Sequence, residues 1–252
     1  MESSYNKLGI LSGTTLKIIA CVFMVIDHVG LTFFSGLEIF RILGRIAFPM
    51  FAFFIAEGSR YSKHKMQRFS LIFLIGLIFF VFYLIYDEEL YGNIFLTFSV
   101  SILIDSLFFS FKKAAIDGTN KLHALAHLLL FAVALLLTGV LYSFIHFEYG
   151  FFGMLLPVII NLTNCKGIEH TTLLHKFDNH YVRLILALIG MIPLSIYGNL
   201  GPMQFYCLMA IIPLMLYNGK IGCKKLKYAF YIFYPAHLIV IEGIAIILAY
   251  LK

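Results

Sequence analysis

Charge is scarce in this chain. Only 13% of its 252 residues are Asp, Glu, Lys or Arg, while 61% are hydrophobic. A soluble domain carries about 25% charged and roughly 45–50% apolar residues. With a mean hydropathy of +0.93, this composition excludes a soluble globular fold, and no long hydrophilic stretch leaves room for a soluble domain. Tryptophan is absent, whereas phenylalanine (27) and tyrosine (15) are plentiful. The four cysteines, Cys21, Cys165, Cys207 and Cys223, are scattered. They form no CxxC or Cys/His metal spacing and imply no disulfide framework. Cys21 and Cys207 lie in apolar runs and read as small buried hydrophobes. Gly-rich phosphate loops, GxSxG and HExxH are also missing. The first apolar stretch is too long for a signal-peptide core and has no A-x-A site after it, so no cleavable leader is expected.

What remains is a series of apolar runs. On the length that a bilayer demands, about nine segments qualify as membrane-spanning helices: 15–34, 38–58, 69–86, 93–111, 122–145, 150–163, 182–198, 202–217 and 229–250. The expected fold is therefore an all-α, polytopic integral membrane bundle forming a single domain. The sixth segment is short enough to be tilted or re-entrant. Gly198-Asn199-Leu200-Gly201-Pro202 reads as the turn of a tight helical hairpin.

The loops sort by charge. Loops 59–68, 112–121, 164–183 and 218–228 carry the lysines and arginines, among them Arg60, Lys63, Lys112, Lys166, Arg183 and Lys225; the alternate loops carry Asp87-Glu88-Glu89 and Glu148. Positive residues stay on the cytoplasmic side, which predicts a cytoplasmic N-terminus (Lys7, Lys17), an extracytoplasmic C-terminus and a multi-pass protein of the cell membrane. The pI near 9.0 is thus a topology signal and does not point to nucleic acid.

Several ionisable residues interrupt these runs. Asp27 and His28 stand side by side within Leu16 to Phe34. A charge there costs a few kcal/mol even on lenient insertion scales, so such residues usually face a bundle interior. A carboxylate can orient an imidazole and leave its other nitrogen as a general base. Adjacent helix positions diverge by about 100°, so Asp27 can equally bond an arginine, and His28 can meet another helix. Arg41 and Arg45 share a helical face at i, i+4. Arg45 suits a carboxylate, a phosphate or Asp27 itself; Arg41 can snorkel to headgroups. Glu57 ends the second span. Tyr234-Pro235-Ala236-His237 either kinks the last span and aims His237 inward, or starts its helix. His123 and His127 have metal-compatible spacing but no third ligand in the sequence nearby, so no metal is expected. Asp105 and Glu242 are lone membrane acids. On the nine-span reading the polar residues are strung along the membrane normal, as along a path, with Asn93 and Tyr149 at the outer boundary.

Two stretches carry a specific resemblance: Leu16-Lys17-Ile18-Ile19-Ala20 leading to Met24-Val25-Ile26-Asp27-His28-Val29-Gly30, and Arg41-Ile42-Leu43-Gly44-Arg45-Ile46-Ala47-Phe48-Pro49-Met50-Phe51 continuing to Ala56-Glu57-Gly58. Shorter ones follow at Arg68, Asn93-Ile94-Phe95-Leu96-Thr97, Tyr149-Gly150 and Tyr231-Ile232-Phe233-Tyr234-Pro235-Ala236-His237. In order and spacing they resemble the bacterial TraX family of membrane proteins, which is itself similar to a superfamily of transmembrane acyltransferases. The namesake is associated with N-terminal acetylation of conjugative pilin. Phe79-Phe80-Val81-Phe82-Tyr83 is apolar where the family commonly has polar residues.

The resemblance implies an acetyl or other acyl group taken from cytoplasmic acetyl-CoA, or another acyl-CoA, and moved to an acceptor at or across the membrane. His28 would be the base or acyl carrier and Asp27 its partner. Arg45 would stabilise an oxyanion or hold phosphate, with His237 assisting. Arg41, Glu57, Arg68, Asn93, Tyr149 and Tyr234 would bind substrate or cofactor. The acceptor is open between a peptide N-terminus, a sugar and a lipid headgroup. Read without the resemblance, the same ionisable residues also suit a proton-coupled small-solute transporter, and a scaffold for other membrane proteins is a third possibility.

Overall fold

The computed structural model describes residues 9–62, 64–86, 88–118, 120–169, 173–197, 201–227 and 229–251. Residues 198–200 of the expected hairpin turn, and Lys7, Lys63, Asp87 and His170, lie outside them. In chain order the helices are α1 (Gly13–Phe33), α2 (Glu38–Gly44), α3 (Ala47–Tyr61), α4 (Lys65–Tyr86), α5 (Ile94–Asp117), α6 (Lys121–Phe144), α7 (Gly150–Ile160), α8 (Leu174–Phe177), α9 (His180–Tyr197), a 3₁₀ helix (Gly201–Ala210), α10 (Ile211–Met215), a second 3₁₀ turn (Lys224–Lys227) and α11 (Ala229–Tyr250). The strands among the described residues are two-residue pieces, β1 (Tyr91–Gly92) and β2 (His146–Phe147). The expected all-α membrane architecture is what forms. Buried backbone groups in a bilayer must be satisfied within their own segment, and a helix does this.

Among the described residues, seven helices are long and apolar enough to cross a membrane, counting Glu38–Tyr61 as one; Gly150–Ile160 and Gly201–Met215 are shorter. Of the about nine spans expected, seven correspond to helices of crossing length, and the expected spans 150–163 and 202–217 fall on helices shorter than that. The second span is not continuous. It breaks after Gly44, where the Ile46 amide bonds Leu43 O at 3.2 Å, a tightened i→i−3 turn. The Gly201–Met215 segment is mostly 3₁₀, whose rise of about 2 Å per residue stretches it to roughly 27 Å, close to a bilayer core of about 30 Å. Pro235 does not start the last helix. That helix begins at Ala229 and runs through the proline.

The chain divides into two compact units, Met1–Phe51 with Pro202–Lys252, and Ala52–Gly201. In the first unit, α1 buries Leu16, Ala20, Met24, Asp27 and Gly30 along one stripe, the three-to-four spacing of a helix face. α2 packs on that stripe, and α11 also packs on α1. Gly30 lies under Phe40, and Gly44 under Asp27, so closely that a Cβ on either would overlap its neighbour. The chain before α1 pairs with the segment after α10: Leu11 N bonds Leu216 O at 2.9 Å and Gly13 N bonds Lys220 O at 2.8 Å. Lys17 lies over the Phe230 ring, and His28 meets His237 further along both helices. α1 and α11 therefore run parallel.

In the second unit, α5 is the centre, touching α4, α6 and α7, while α7 packs on α9. Polar groups stitch α5 to the start of α7: Thr97 Oγ1 donates to Glu148 O (3.1 Å) and Ser101 Oγ to Met154 O (2.6 Å). Such interhelical bonds hold helices where apolar surface alone gives no drive to associate. β1 and β2 pair in parallel, with Tyr91 opposite His146 and Gly92 opposite Phe147. They join the α4–α5 and α6–α7 connections at one end of the unit. At the other end Arg60 pairs with Asp178, and Glu169 N bonds the Asp117 carboxylate at 3.0 and 3.1 Å. The short α7 and residues 161–169 together carry the chain between these ends. α6 buries little of itself; its exposed leucines suit lipid, not water.

Candidate functional site

Asp27 lies on the buried stripe of α1, and Arg41 and Arg45 stand one turn apart across from it. Arg45 Nη2 binds Asp27 Oδ2, and Arg41 Nη1 lies 3.0 Å from Oδ1. Arg45 Nε also donates to Arg41 O at 3.2 Å, over the end of α2. Asp27 is 7% exposed and Arg45 2%, so this carboxylate is held between two guanidiniums away from solvent. Two cations against one anion leave the triad with one net positive charge. Of the partners open to Arg45 from the sequence, the structure selects Asp27.

His28, next in the chain, points elsewhere. Its Nδ1 is 2.8 Å from Met24 O and 3.4 Å from Nε2 of His237; the two rings meet edge to face with centroids 4.9 Å apart. His237 Nδ1 is 2.9 Å from Phe233 O. A carbonyl only accepts, so the hydrogen-bond network assigns the proton to Nδ1 of each ring. His237 Nε2 then presents its lone pair to His28 Nδ1–H, and His28 Nε2 keeps a lone pair of its own. Tyr234 flanks His237 at 5.6 Å between ring centroids and is buried. The Asp27 carboxylate is thus engaged by arginines, and the ring partner of His28 is His237.

Apart from Glu242 on α11, the remaining candidates fall in the second unit. Glu57 pairs with Arg183 of α9, both buried. The Arg183 guanidinium also lies over Phe53, one turn before Glu57, at 4.9 Å. Arg68 crosses Gly58 and donates to Ile55 O at 3.1 Å. Asn93 caps α5, accepting from Phe95 N (3.0 Å) and Leu96 N (3.3 Å), and its amide donates to Gly76 O inside α4 at 2.8 Å. Tyr149 precedes α7 in a left-handed conformation, φ 64°. Asp105 accepts from Asn161 Nδ2 at 3.0 Å, and that amide also reaches Ala56 O at 3.0 Å. Glu242 is exposed on α11.

Sequence reasoning missed Arg183, Arg60 and Asp178 as site-forming residues. Arg60 holds Asp178 with both terminal nitrogens (Nη2 to Oδ2, 2.7 Å), and the same carboxylate accepts from Cys165 N at 3.0 Å. Lys166 stands over the Tyr61 ring at 3.7 Å. Partial burial and the nearby Arg60 guanidinium lower its pKa below the ordinary lysine value. The available signal was position: Arg183 sits one turn inside an apolar helix, where charge is costly, although by composition it belonged to a basic loop.

A multi-span helical membrane protein with a buried carboxylate–diarginine triad beside a histidine pair is the class these observations define. A family model described as TraX protein matches residues 12–245, and the chain belongs to that family. A protein of Dichelobacter nodosus described as "Probable fimbrial assembly protein FimC, serogroup H1" is 24% identical over 246 residues, covering 90% of this chain and 93% of its own. An uncharacterised protein of Rickettsia prowazekii is 44% identical over 63 residues, covering 25% of this chain and 23% of its own. No solved structure gives a significant match.

Proposed function

We propose that this protein is a membrane-embedded acyltransferase that moves an acetyl group from cytoplasmic acetyl-CoA to an acceptor at or across the membrane. The carrying observation is the histidine pair, in which Nδ1–H of His28 is engaged and Nε2 retains its lone pair. In this reading His28 Nε2 takes the proton from the acceptor amine or hydroxyl as that atom bonds to the thioester carbonyl carbon. The carbon–sulfur bond then breaks, and the CoA thiol leaves with a proton. His237 positions the His28 ring. The net positive charge of Asp27, Arg41 and Arg45 supports the developing oxyanion, which gives Asp27 a positioning role toward Arg45. Tyr234, which flanks His237, is assigned to the support of the histidine pair. The relative named for fimbrial assembly fits an acceptor among exported peptides, alongside a sugar or lipid headgroup.

The test is binding and slow hydrolysis of acetyl-CoA by detergent-purified protein, wild type against His28→Ala. Saturable binding with hydrolysis lost only in the variant supports the donor and the base. Absence of binding removes acyl transfer. One observation favours a second reading, a proton-coupled small-solute transporter: His28 Nδ1–H faces His237 Nε2 at 3.4 Å, so that a proton taken up at His28 Nε2 could be passed on to His237. Proton flux into proteoliposomes that His237→Ala abolishes, without acetyl-CoA binding by either form, would select it.

A further inference from the structure

At the Arg60 end of the second unit, a groove of about 500 Å³ opens between the start of α4, the end of α5 and the start of α6. Its walls carry Lys65, Lys113, His123 and His127, and its floor includes Phe109 and Ala114. That volume lies in the range of small-ligand pockets, about 300–1,000 Å³. Lys65 Nζ stands 4.8 Å above the Phe109 ring. The single acid on the rim, Asp117, is occupied by the Glu169 amide at 3.0 Å. His123 and His127, both lining the groove, bring their Nε2 atoms within 3.2 Å of each other, so one donates to the other. Unlike the topology charges of an ordinary loop, Lys65 and Lys113 converge on one concave space.

From this geometry we infer that the groove binds the phosphate of an anionic phospholipid from the cytoplasmic leaflet. Three features make the lipid the source of that phosphate. The groove lies at the membrane boundary, where the apolar helices α4, α5 and α6 end or begin. The wall below it is α6, whose Leu122, Leu125 and Leu129 are exposed and can lie along acyl chains. Basic pockets between helices on the cytoplasmic side suit anionic headgroups. The Lys/Arg asymmetry of the loops assigns this end to that side. The inference uses none of the residues proposed for acyl transfer.

The experiment is native mass spectrometry of the full chain released from vesicles holding equal phosphatidylglycerol and phosphatidylcholine. It compares wild type, Lys65→Ala/Lys113→Ala and the control Lys225→Ala, with folding of each checked by helical circular dichroism. Wild type and control should retain phosphatidylglycerol preferentially. The double variant should lose roughly thirtyfold of that preference, from about fivefold per lysine. Equal retention by wild type and double variant, or an equal loss in the control, overturns the site. If inorganic phosphate or glycerol phosphate displaces the lipid at equal concentration, a soluble phosphate is the ligand and the lipid assignment fails.

Discussion

Gly44→Ala is the substitution through which the structure is most directly tested. A Cβ at this position falls inside 3.0 Å of Cβ, Cγ and Oδ1 of Asp27, whereas carbon atoms in contact sit about 3.5–4.0 Å apart. Asp27 cannot simply swing aside, because Arg45 and Arg41 hold its two oxygens. Either α2 lifts from α1 or the triad opens. Overpacking of this kind costs about 1–3 kcal/mol. At about 2–4 °C per kcal/mol for a chain of 150–250 residues, the melting temperature should fall by about 2–12 °C. With no tryptophan available, unfolding is read with a thiol-reactive dye. Cys21, Cys165 and Cys207 are buried and become reactive on unfolding; the exposed Cys223 is replaced by Ser in every form to remove background. Gly243→Ala is the control, since a Cβ there meets nothing within 4 Å. A Gly44→Ala protein that melts with the control would refute the close α1–α2 approach and with it the geometry assigned to Asp27.

Two further predictions concern the second unit. Glu57→Ala and Arg183→Ala should each destabilise by about 3–5 kcal/mol, because each strands a buried charge; the double variant should lose less than their sum by about 1 kcal/mol or more, and strict additivity in dye-monitored melting would remove the pair. Asn93→Ala should lose about 1–2 kcal/mol of helix capping and about 1 kcal/mol of bonding to Gly76. Asn93→Ser keeps a cap acceptor but is too short to reach Gly76 O, so it should melt between wild type and Asn93→Ala; identical melting of all three would leave Asn93 without its structural role.

The positions of most spans were legible in the sequence for a simple reason. A bilayer requires about 20 apolar residues in a row, so hydropathy alone locates a helix such as the last one, expected at 229–250 and found at Ala229–Tyr250. The break between α2 and α3 was not legible, because Gly44-Arg45 interrupts the apolar run without dividing it into separate segments by hydropathy. Nor was the 3₁₀ segment at Gly201–Ala210, since hydropathy counts residues and not their rise. In the site, Asp27, Arg41 and Arg45 stood out because charge inside an apolar run is costly. Arg183 did not, because its position at a loop edge gave it a sufficient explanation as a topology signal.

Composition and the order of apolar and basic segments determined by themselves that this is a helical membrane protein and which residues are out of place in lipid. Tertiary structure decided the partners: Asp27 with Arg41 and Arg45, His28 with His237 across 209 positions, Glu57 with Arg183 across 126. The physical reason is that burial of a charge is a local cost, readable from its immediate neighbours in the chain. The group that offsets that cost stands on another helix, and only the packing of the two helices brings it within reach.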